Sequence, residues 1–348
     1  MRVMVGLSGG VDSSVAAALL VGEGHEVVGA TMKLWGAAGD SGCCSVGDVE
    51  DARRVAARLG IDHYVFNFSD EFEKAVVRPY AEAHALGRTP NPCIECNRHL
   101  KFRRFLDRAV RLGFDAVATG HHARIAVEPS TGAPRLLRGR DLAKDQSYVL
   151  SMLTVRELSR VLLPVGEMTK HEVRARAADL GLHTASKPDS QEVCFVAAGP
   201  GQGPRQRFLS ERIELHPGRL VEGATGDVVG SVPAVELVTV GQRRGLGFSA
   251  SGRRYALEVD PATATVIVGP EEDLLTDHVE LTAQTWVSER LPVGTLVLAQ
   301  ASAHGRARPA RLTETGVSYT EGTDRRVAPG QTIALYVDDE VVGSGTAA

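Results

Sequence analysis

The sequence predicts an α/β protein, with an N-terminal parallel sheet covered by helices on both faces and two smaller β-rich units after it. Three observations carry this. β-prone runs alternate with helical patterns over residues 1–119, the order from which parallel sheets are built. Gly199-Pro200-Gly201-Gln202-Gly203-Pro204 then breaks the pattern as a linker. Beyond it, short β-prone runs separated by turn residues have the texture of a small barrel or sandwich.

Arg2–Leu7 is the first β-rich run, and Asp12–Gly22 reads as a helix ended by its glycine. Val27–Leu34 is a second strand. Val46–Leu59 has apolar and charged residues at helical spacing, and Gly60 stops it. His63–Phe68 is a third strand, and Asp70–Leu86 a helix that Pro79 should kink. Asn97–Leu112 is a further helix, Ala116–Thr119 a fourth strand, and Ser147–Leu180 reads as mostly helical. After the linker, Arg219–Val221, Asp227–Val229 and Tyr255–Val259 are short strands. Pro270–Asp273 marks a second boundary, before strands at Val279–Leu281, Leu296–Ala299 and Thr332–Val337. The expected domains are 1–198, 199–271 and 272–348.

The 348 residues suffice for two or three domains with a sizeable core. Hydrophobic residues at 43% and charged residues at 24% fit a soluble globular chain. The longest apolar run, Val15–Val21, is too short to span a bilayer, so no membrane association and a cytoplasmic location are expected. A net charge of −4 excludes a protein that merely coats nucleic acid, though not a local basic surface. The five cysteines (Cys43, Cys44, Cys93, Cys96, Cys194) are an odd number, which favours reactive or metal-binding thiols over a disulfide scaffold.

Gly6-Leu7-Ser8-Gly9-Gly10-Val11-Asp12-Ser13-Ser14 joins the first strand to the first helix. Its glycines allow a tight turn, its serines can add donors, and the helix start is positive. This is a phosphate cradle without the Walker lysine, which argues against γ-phosphate transfer.

Asn91-Pro92-Cys93-Ile94-Glu95-Cys96-Asn97 is a stiff turn entering a helix, with Cys96 near the expected helix start. Three readings of the cysteines stand. Cys93 and Cys96 are half of a zinc site, some cysteines are inert core residues, or one thiolate carries sulfur and another resolves it. His121 and His122 follow Ala116–Gly120 at a strand's carboxyl end, where ligands bind in doubly wound sheets. Arg98, Lys101, Arg103, Arg104, Arg108 and Arg111 crowd one helix, a possible phosphate-contacting stripe.

The loop Ser-Gly-Gly-x-Asp-Ser-Ser resembles the PP-loop of ATP pyrophosphatases. Beyond it, Asn-Pro-x-x-x-Cys-Asn, Lys-Asp-Gln-Ser-Tyr, Asp-Ser-x-x-x-Cys-Phe and Gly-Gln-Arg-x-Gly-Leu-Gly, spread over nearly the whole chain, resemble the tRNA-specific 2-thiouridylases. The resemblance implies a PP-loop (adenine nucleotide alpha hydrolase-like) domain, a small β-rich central domain and a C-terminal β-barrel. It implies ATP-dependent 2-thiolation of the wobble uridine of tRNA. The base O2 would be adenylated and sulfur delivered from a cysteine persulfide, releasing AMP and pyrophosphate.

Carried over by position, Cys194 would bear the persulfide and Cys96 would be the second catalytic cysteine. Gly6, Leu7, Ser8, Gly9, Gly10, Val11, Asp12, Ser13, Met32 and Gly120 would bind ATP, with Mg²⁺ as its companion. Asn91, Pro92 and Cys93 would meet the target base. Lys144, Asp145 and Gln146 would contact tRNA, as would His121 and Gln331. A persulfide donor, either a cysteine desulfurase or a sulfur-relay protein, is the implied partner besides tRNA. There are two departures. Many relatives have an aspartate, a proposed acid/base, where Cys93 stands, and the stretch near Ser302-Ala303-His304-Gly305 lacks their Arg-Tyr pair.

Overall fold

The computed structural model describes residues 1–35, 46–189, 193–196, 203–248 and 252–348; Cys43 and Cys44 lie outside them. In chain order the first half carries β1 (Arg2–Gly6), α1 (Val11–Gly22), β2 (Glu26–Lys33), α2 (Val46–Leu59), β3 (His63–Asn67) and β4 (Ala116–Ala118). A hairpin of β5 (Ala123–Val127) and β6 (Pro134–Arg138) follows, and then β7 (Val161–Leu162). Five strands form one parallel sheet in the order β3-β2-β1-β4-β7. β1 is central because Val3, Met4 and Val5 are apolar and can be buried on both faces. The chain winds outward from β1 to β3, then returns to β4 on the other side of β1. That reversal opens a crevice at the carboxyl ends of β1 and β4.

Two predicted helices are continuous but irregular. Residues 69–85 run as α-helix, then a wide π segment at Glu73–Val77, then α-helix from Arg78. The wide turn stands just before Pro79, whose ring and missing N–H exclude the normal bond to the carbonyl four residues back. Residues 92–111 likewise carry a π segment at Asn97–Arg104.

Ser147–Leu180 is less helical than its composition suggests. Only Val155–Leu158 and Lys170–Asp179 are α-helical, and β7 lies between them. Thr154 with Glu157, and Thr169 with Glu172, form capping boxes that each start a new helix.

The middle of the chain forms β8 (Gly218–Glu222), β9 (Val228–Val232), β10 (Gly247–Phe248), β11 (Tyr255–Asp260) and β12 (Thr265–Gly269), in one sheet ordered β10-β9-β8-β12-β11. The last part has a short pair, β13 (Leu275–Thr276) with β18 (Asp324–Arg325), and six longer strands. These are β14 (His278–Trp286), β15 (Leu296–Gln300), β16 (Arg308–Leu312), β17 (Gly316–Tyr319), β19 (Thr332–Val337) and β20 (Glu340–Ala347). They run β14-β17-β16-β15-β19-β20, and β14 pairs with β20 to close a barrel.

The hairpin β5–β6 was not legible in the sequence. It leaves the parallel sheet and joins the barrel, with Leu137 opposite Glu340 and Leu136 opposite Val341 on β20. Beneath this joint, the Arg138 guanidinium lies 3.7 Å from the Tyr336 ring centroid and donates to Asp145 (3.0 Å) and Gln300 (2.9 Å). The largest core cluster therefore runs through both parts, from Phe102 and Tyr148 to Ala334, Tyr336 and Val341.

Candidate active site

The Gly-rich loop leaves β1 at the crevice. Gly9 has φ +72°, and a Cβ there would lie 2.4 Å from the Asp48 carbonyl oxygen, so only glycine fits under the start of α2. Ser13 and Ser14 are turned inward, whereas Ser8 is exposed. Ser13 and Ser14 hydroxyls donate to the Gly10 carbonyl (3.2 and 2.7 Å), and the Ser8 N–H donates to Ser13 Oγ (3.2 Å). Two hydroxyls expected as ligand donors thus brace the loop itself. No side chain caps α1, and its first amides have no carbonyl a turn behind them, so they remain available to an anion.

Gly120 ends β4 against this loop. A Cβ there would fall 2.4 Å from the Ser13 nitrogen and 2.5 Å from the Asp12 carbonyl carbon. The glycine is needed for contact between strand end and helix start. Met32, on β2, reaches the same place, its Cε 3.4 Å from where a Gly6 Cβ would stand.

Asp12 is the centre of a charge network. It accepts from Lys170 Nζ (2.7 and 2.8 Å) and pairs with His122 Nε2 (3.0 Å). Burial would raise its pKa, but the bonds from His122 and Lys170 outweigh that and hold it below the ordinary carboxylate value. Lys170 also meets Asp189 (2.9 Å), which accepts in turn from Lys144 (2.9 Å) and Arg174 (2.8 Å). Lys187 Nζ donates to the Gly9 carbonyl (3.0 Å) and to Asp48 and Asp51 (2.7 Å each). Two ammonium groups therefore flank a loop that has no lysine of its own.

This network makes a stability prediction. Burial opposes ionisation of Asp189, yet Lys170 and Lys144 bring its pKa down to about 2 from 3.8. A depressed carboxyl stabilises the fold above its unfolded pKa and loses that contribution as pH falls through its folded pKa. Asp189→Asn should cost ~2 kcal/mol at neutral pH, with the deficit vanishing between about pH 4 and 2. Urea unfolding of both proteins across that range checks it.

The Cys194 segment lies at the same edge of the sheet, five residues beyond Asp189. Asn91 caps the helical run 92–111 by accepting the Cys93 N–H (3.0 Å), and Pro92 takes the first helical position. The helix thus begins five residues before the expected Asn97. Cys93, exposed, sits in its first turn, and Cys96 is buried behind it. The positive helix end therefore acts on Cys93 at least as strongly as on Cys96, contrary to the sequence expectation. Cys194 is half-buried and packs on the core cluster that contains Cys96. Its neighbour Phe195 lies 6.2 Å, centroid to centroid, from Trp35, two residues past the carboxyl end of β2. Among the described residues no group of three or more His, Cys, Asp and Glu side chains is placed to hold a metal ion.

Three family models match in succession: a tRNA methyl transferase HUP domain over residues 1–198, a tRNA methyl transferase PRC-barrel domain over 206–270 and an aminomethyltransferase beta-barrel domain over 297–347. The tRNA-specific 2-thiouridylase MnmA of Saccharopolyspora erythraea is 43% identical over 98% of this chain and 96% of its own. That of Roseiflexus castenholzii is 45% identical over 99% of this chain and 98% of its own. The chain belongs to the tRNA-specific 2-thiouridylase family. A solved 4-thiouridine synthetase–RNA complex with bound ATP is 19% identical over 61% of this chain and 50% of its own, with a TM-score of 0.39.

In this 2-thiouridylase-family chain the positions carried over for tRNA differ in character. Lys144 and Gln146 are exposed, and Lys144 reaches the loop network through Asp189. The Gln146 side chain accepts the His122 N–H (2.9 Å). Asp145 is buried and already accepts from Arg138, Gly139 and Ser147. His121 is buried, its Nδ1 2.7 Å from Thr119 Oγ1, and burial drives its pKa well below the ordinary value, so it is neutral. Gln331, in the barrel, donates to the Thr89 carbonyl, two residues before Asn91. These contacts tie Asp145, His121 and Gln331 into hydrogen bonds within the protein itself. Arg103, Arg104, Arg108 and Arg111 are exposed along one helical run.

The sequence reading missed Lys170, Lys187, Arg174 and Asp189 as parts of the site. Lys170 and Asp12 are 158 residues apart, and Lys187 and Asp48 are 139 apart. The available signals were the Thr169–Glu172 capping box, which aims a helix start at the loop, and Lys187-Pro188-Asp189 beside the Cys194 motif.

Proposed function

We propose that the chain is an ATP-dependent tRNA uridine 2-sulfurtransferase acting on the wobble uridine, U34. The observation that carries this is the convergence, at one edge of the parallel sheet, of a lysine-flanked anion loop with the segment bearing Cys194. Full-length similarity to 2-thiouridylases supports it.

ATP supplies an adenylyl group that turns the uridine O2 into a leaving group. The loop amides and the positive start of α1 suit its phosphates. Lys170 and Lys187 supply the cations that the loop lacks, exchanging carboxylate partners for phosphate oxygens. Asp12, kept ionised, is the carboxylate fitted to hold Mg²⁺ with those phosphates. Asn91 and Pro92 present the helix start to the base, and the arginine-rich run 98–111 is the phosphate-contacting face.

Sulfur transfer follows with electrons balanced. The terminal sulfur of a Cys194 persulfide adds to C2, and O2 leaves with AMP. The Cys96 thiolate attacks the Cys194 sulfur, breaking the persulfide bond, leaving sulfur on the base and closing a Cys96–Cys194 disulfide. A dithiol reductant reopens it, and an external persulfide donor reloads Cys194.

Incubation with unmodified tRNA, ATP, Mg²⁺, a persulfide donor (a cysteine desulfurase with cysteine) and a dithiol reductant tests the reading. The expected products are 2-thiouridine, AMP and pyrophosphate. ADP and phosphate as the main products would sink it.

A further inference from the structure

We propose that Phe195 is a positioning residue whose seat in a four-ring socket fixes the orientation of Cys194. The Val196 N–H donates to the Val193 carbonyl (3.0 Å), so residues 193–196 form a turn whose two central residues are Cys194 and Phe195. Within so short a turn, fixing one central side chain fixes the direction of the other.

Phe195 is 5% exposed, whereas Cys194 beside it is half-buried. Its ring meets Phe208 at 5.1 Å, Tyr80 at 5.4 Å, Phe72 at 5.6 Å and Trp35 at 6.2 Å. The Tyr80 and Phe72 contacts are edge-to-face, the arrangement that aromatic quadrupoles favour.

The socket draws on separate parts of the chain. Trp35 follows β2, Phe72 and Tyr80 come from the helical run 69–85, and Phe208 lies on helix Gly203–Ser210. Arg212 closes it from outside, its guanidinium 4.0 Å from the Phe208 centroid and 5.5 Å from that of Trp35. The ring seat thus anchors the turn that carries the thiol, and anchoring a reacting group favours its productive geometry.

The role rests on the proposed function; the anchor itself does not. Phe195→Ala and Phe195→Leu would be compared with the parent protein in two ways. The first is the alkylation rate of the Cys194 peptide by iodoacetamide, read by mass spectrometry. The second is 2-thiouridine formed per pyrophosphate released in a single turnover. Alkylation of Cys194 should rise about tenfold in Phe195→Ala, and less in Phe195→Leu, which refills the socket. In a single turnover, thiouridine per pyrophosphate should fall about tenfold in Phe195→Ala and partly recover in Phe195→Leu, with pyrophosphate release itself unchanged.

An unchanged alkylation rate in the Phe195→Ala protein overturns the anchor, as does a rate in Phe195→Leu equal to or above that of Phe195→Ala. Faster alkylation with unchanged thiouridine per pyrophosphate overturns the positioning role, as does parallel loss of pyrophosphate release and thiolation. Faster alkylation in a protein whose parent makes no 2-thiouridine upholds the anchor and overturns the proposed function.

Discussion

Cys194→Ser should reduce 2-thiouridine formation below detection, a loss of at least about 10³, while adenylated tRNA still accumulates. Serine keeps the shape of the half-buried Cys194 turn but cannot carry a terminal sulfur. Activation of the base needs the loop network, which the substitution does not touch. Cys96→Ser should be equally inactive in turnover, because nothing then breaks the persulfide bond. Cys93→Ser should keep substantial activity. That last expectation is the severe one, since Cys93 occupies the helix's first turn and is exposed. Its thiol has the better electrostatic claim to reactivity. Cys96 has the better placement, bordering the apolar cluster on which Cys194 packs. Nucleoside mass analysis of the three variants decides it, and a dead Cys93→Ser protein would make Cys93 the resolving thiol or an acid/base.

The second large effect is at Asp12. Asp12→Ala should lower AMP and pyrophosphate release by about 10²–10³, the scale of losing one preorganised electrostatic group. Lys170 would keep Asp189 as its partner at 2.9 Å. His122, only 2% exposed, would lose its Nε2 partner. The variant should therefore be destabilised by roughly 1–3 kcal/mol, though still folded. Quantifying AMP in single turnover beside thermal unfolding separates the two effects. A stable variant with normal AMP release would remove Asp12 from the chemistry.

The legible and illegible parts of the molecule divide on physical grounds. Helix Val46–Leu59 appears with its predicted bounds because its amphipathic spacing and the following glycine are local signals. The Gly-rich loop is legible for the same reason, since glycines, serines and aspartate lie within nine residues. The β5–β6 hairpin escaped because its pairing partner, β20, lies some two hundred residues away, as the Arg135–Glu340 bond does. The lysines at the loop escaped likewise, since an ion pair across the fold leaves no periodicity in the sequence. The start of the cysteine-bearing helix is not legible from the prolines alone, because Pro92, which suggests a turn, serves as the first helical residue.

The same hairpin sets a timetable for synthesis. Residues 123–138 emerge long before Glu340, their partner in the barrel. At ribosomal rates of about 5–20 residues per second, the roughly two hundred intervening residues take ~10–40 s. During that interval the β6 edge has no barrel strand beside it, and Arg138 and Asp145 wait without Gln300 or Tyr336. The nascent chain must keep this edge from pairing with its neighbours on a polysome until the final strand arrives. A chain stopped before β20 would carry that open edge permanently, so the early α/β unit is finished only once β20 is made.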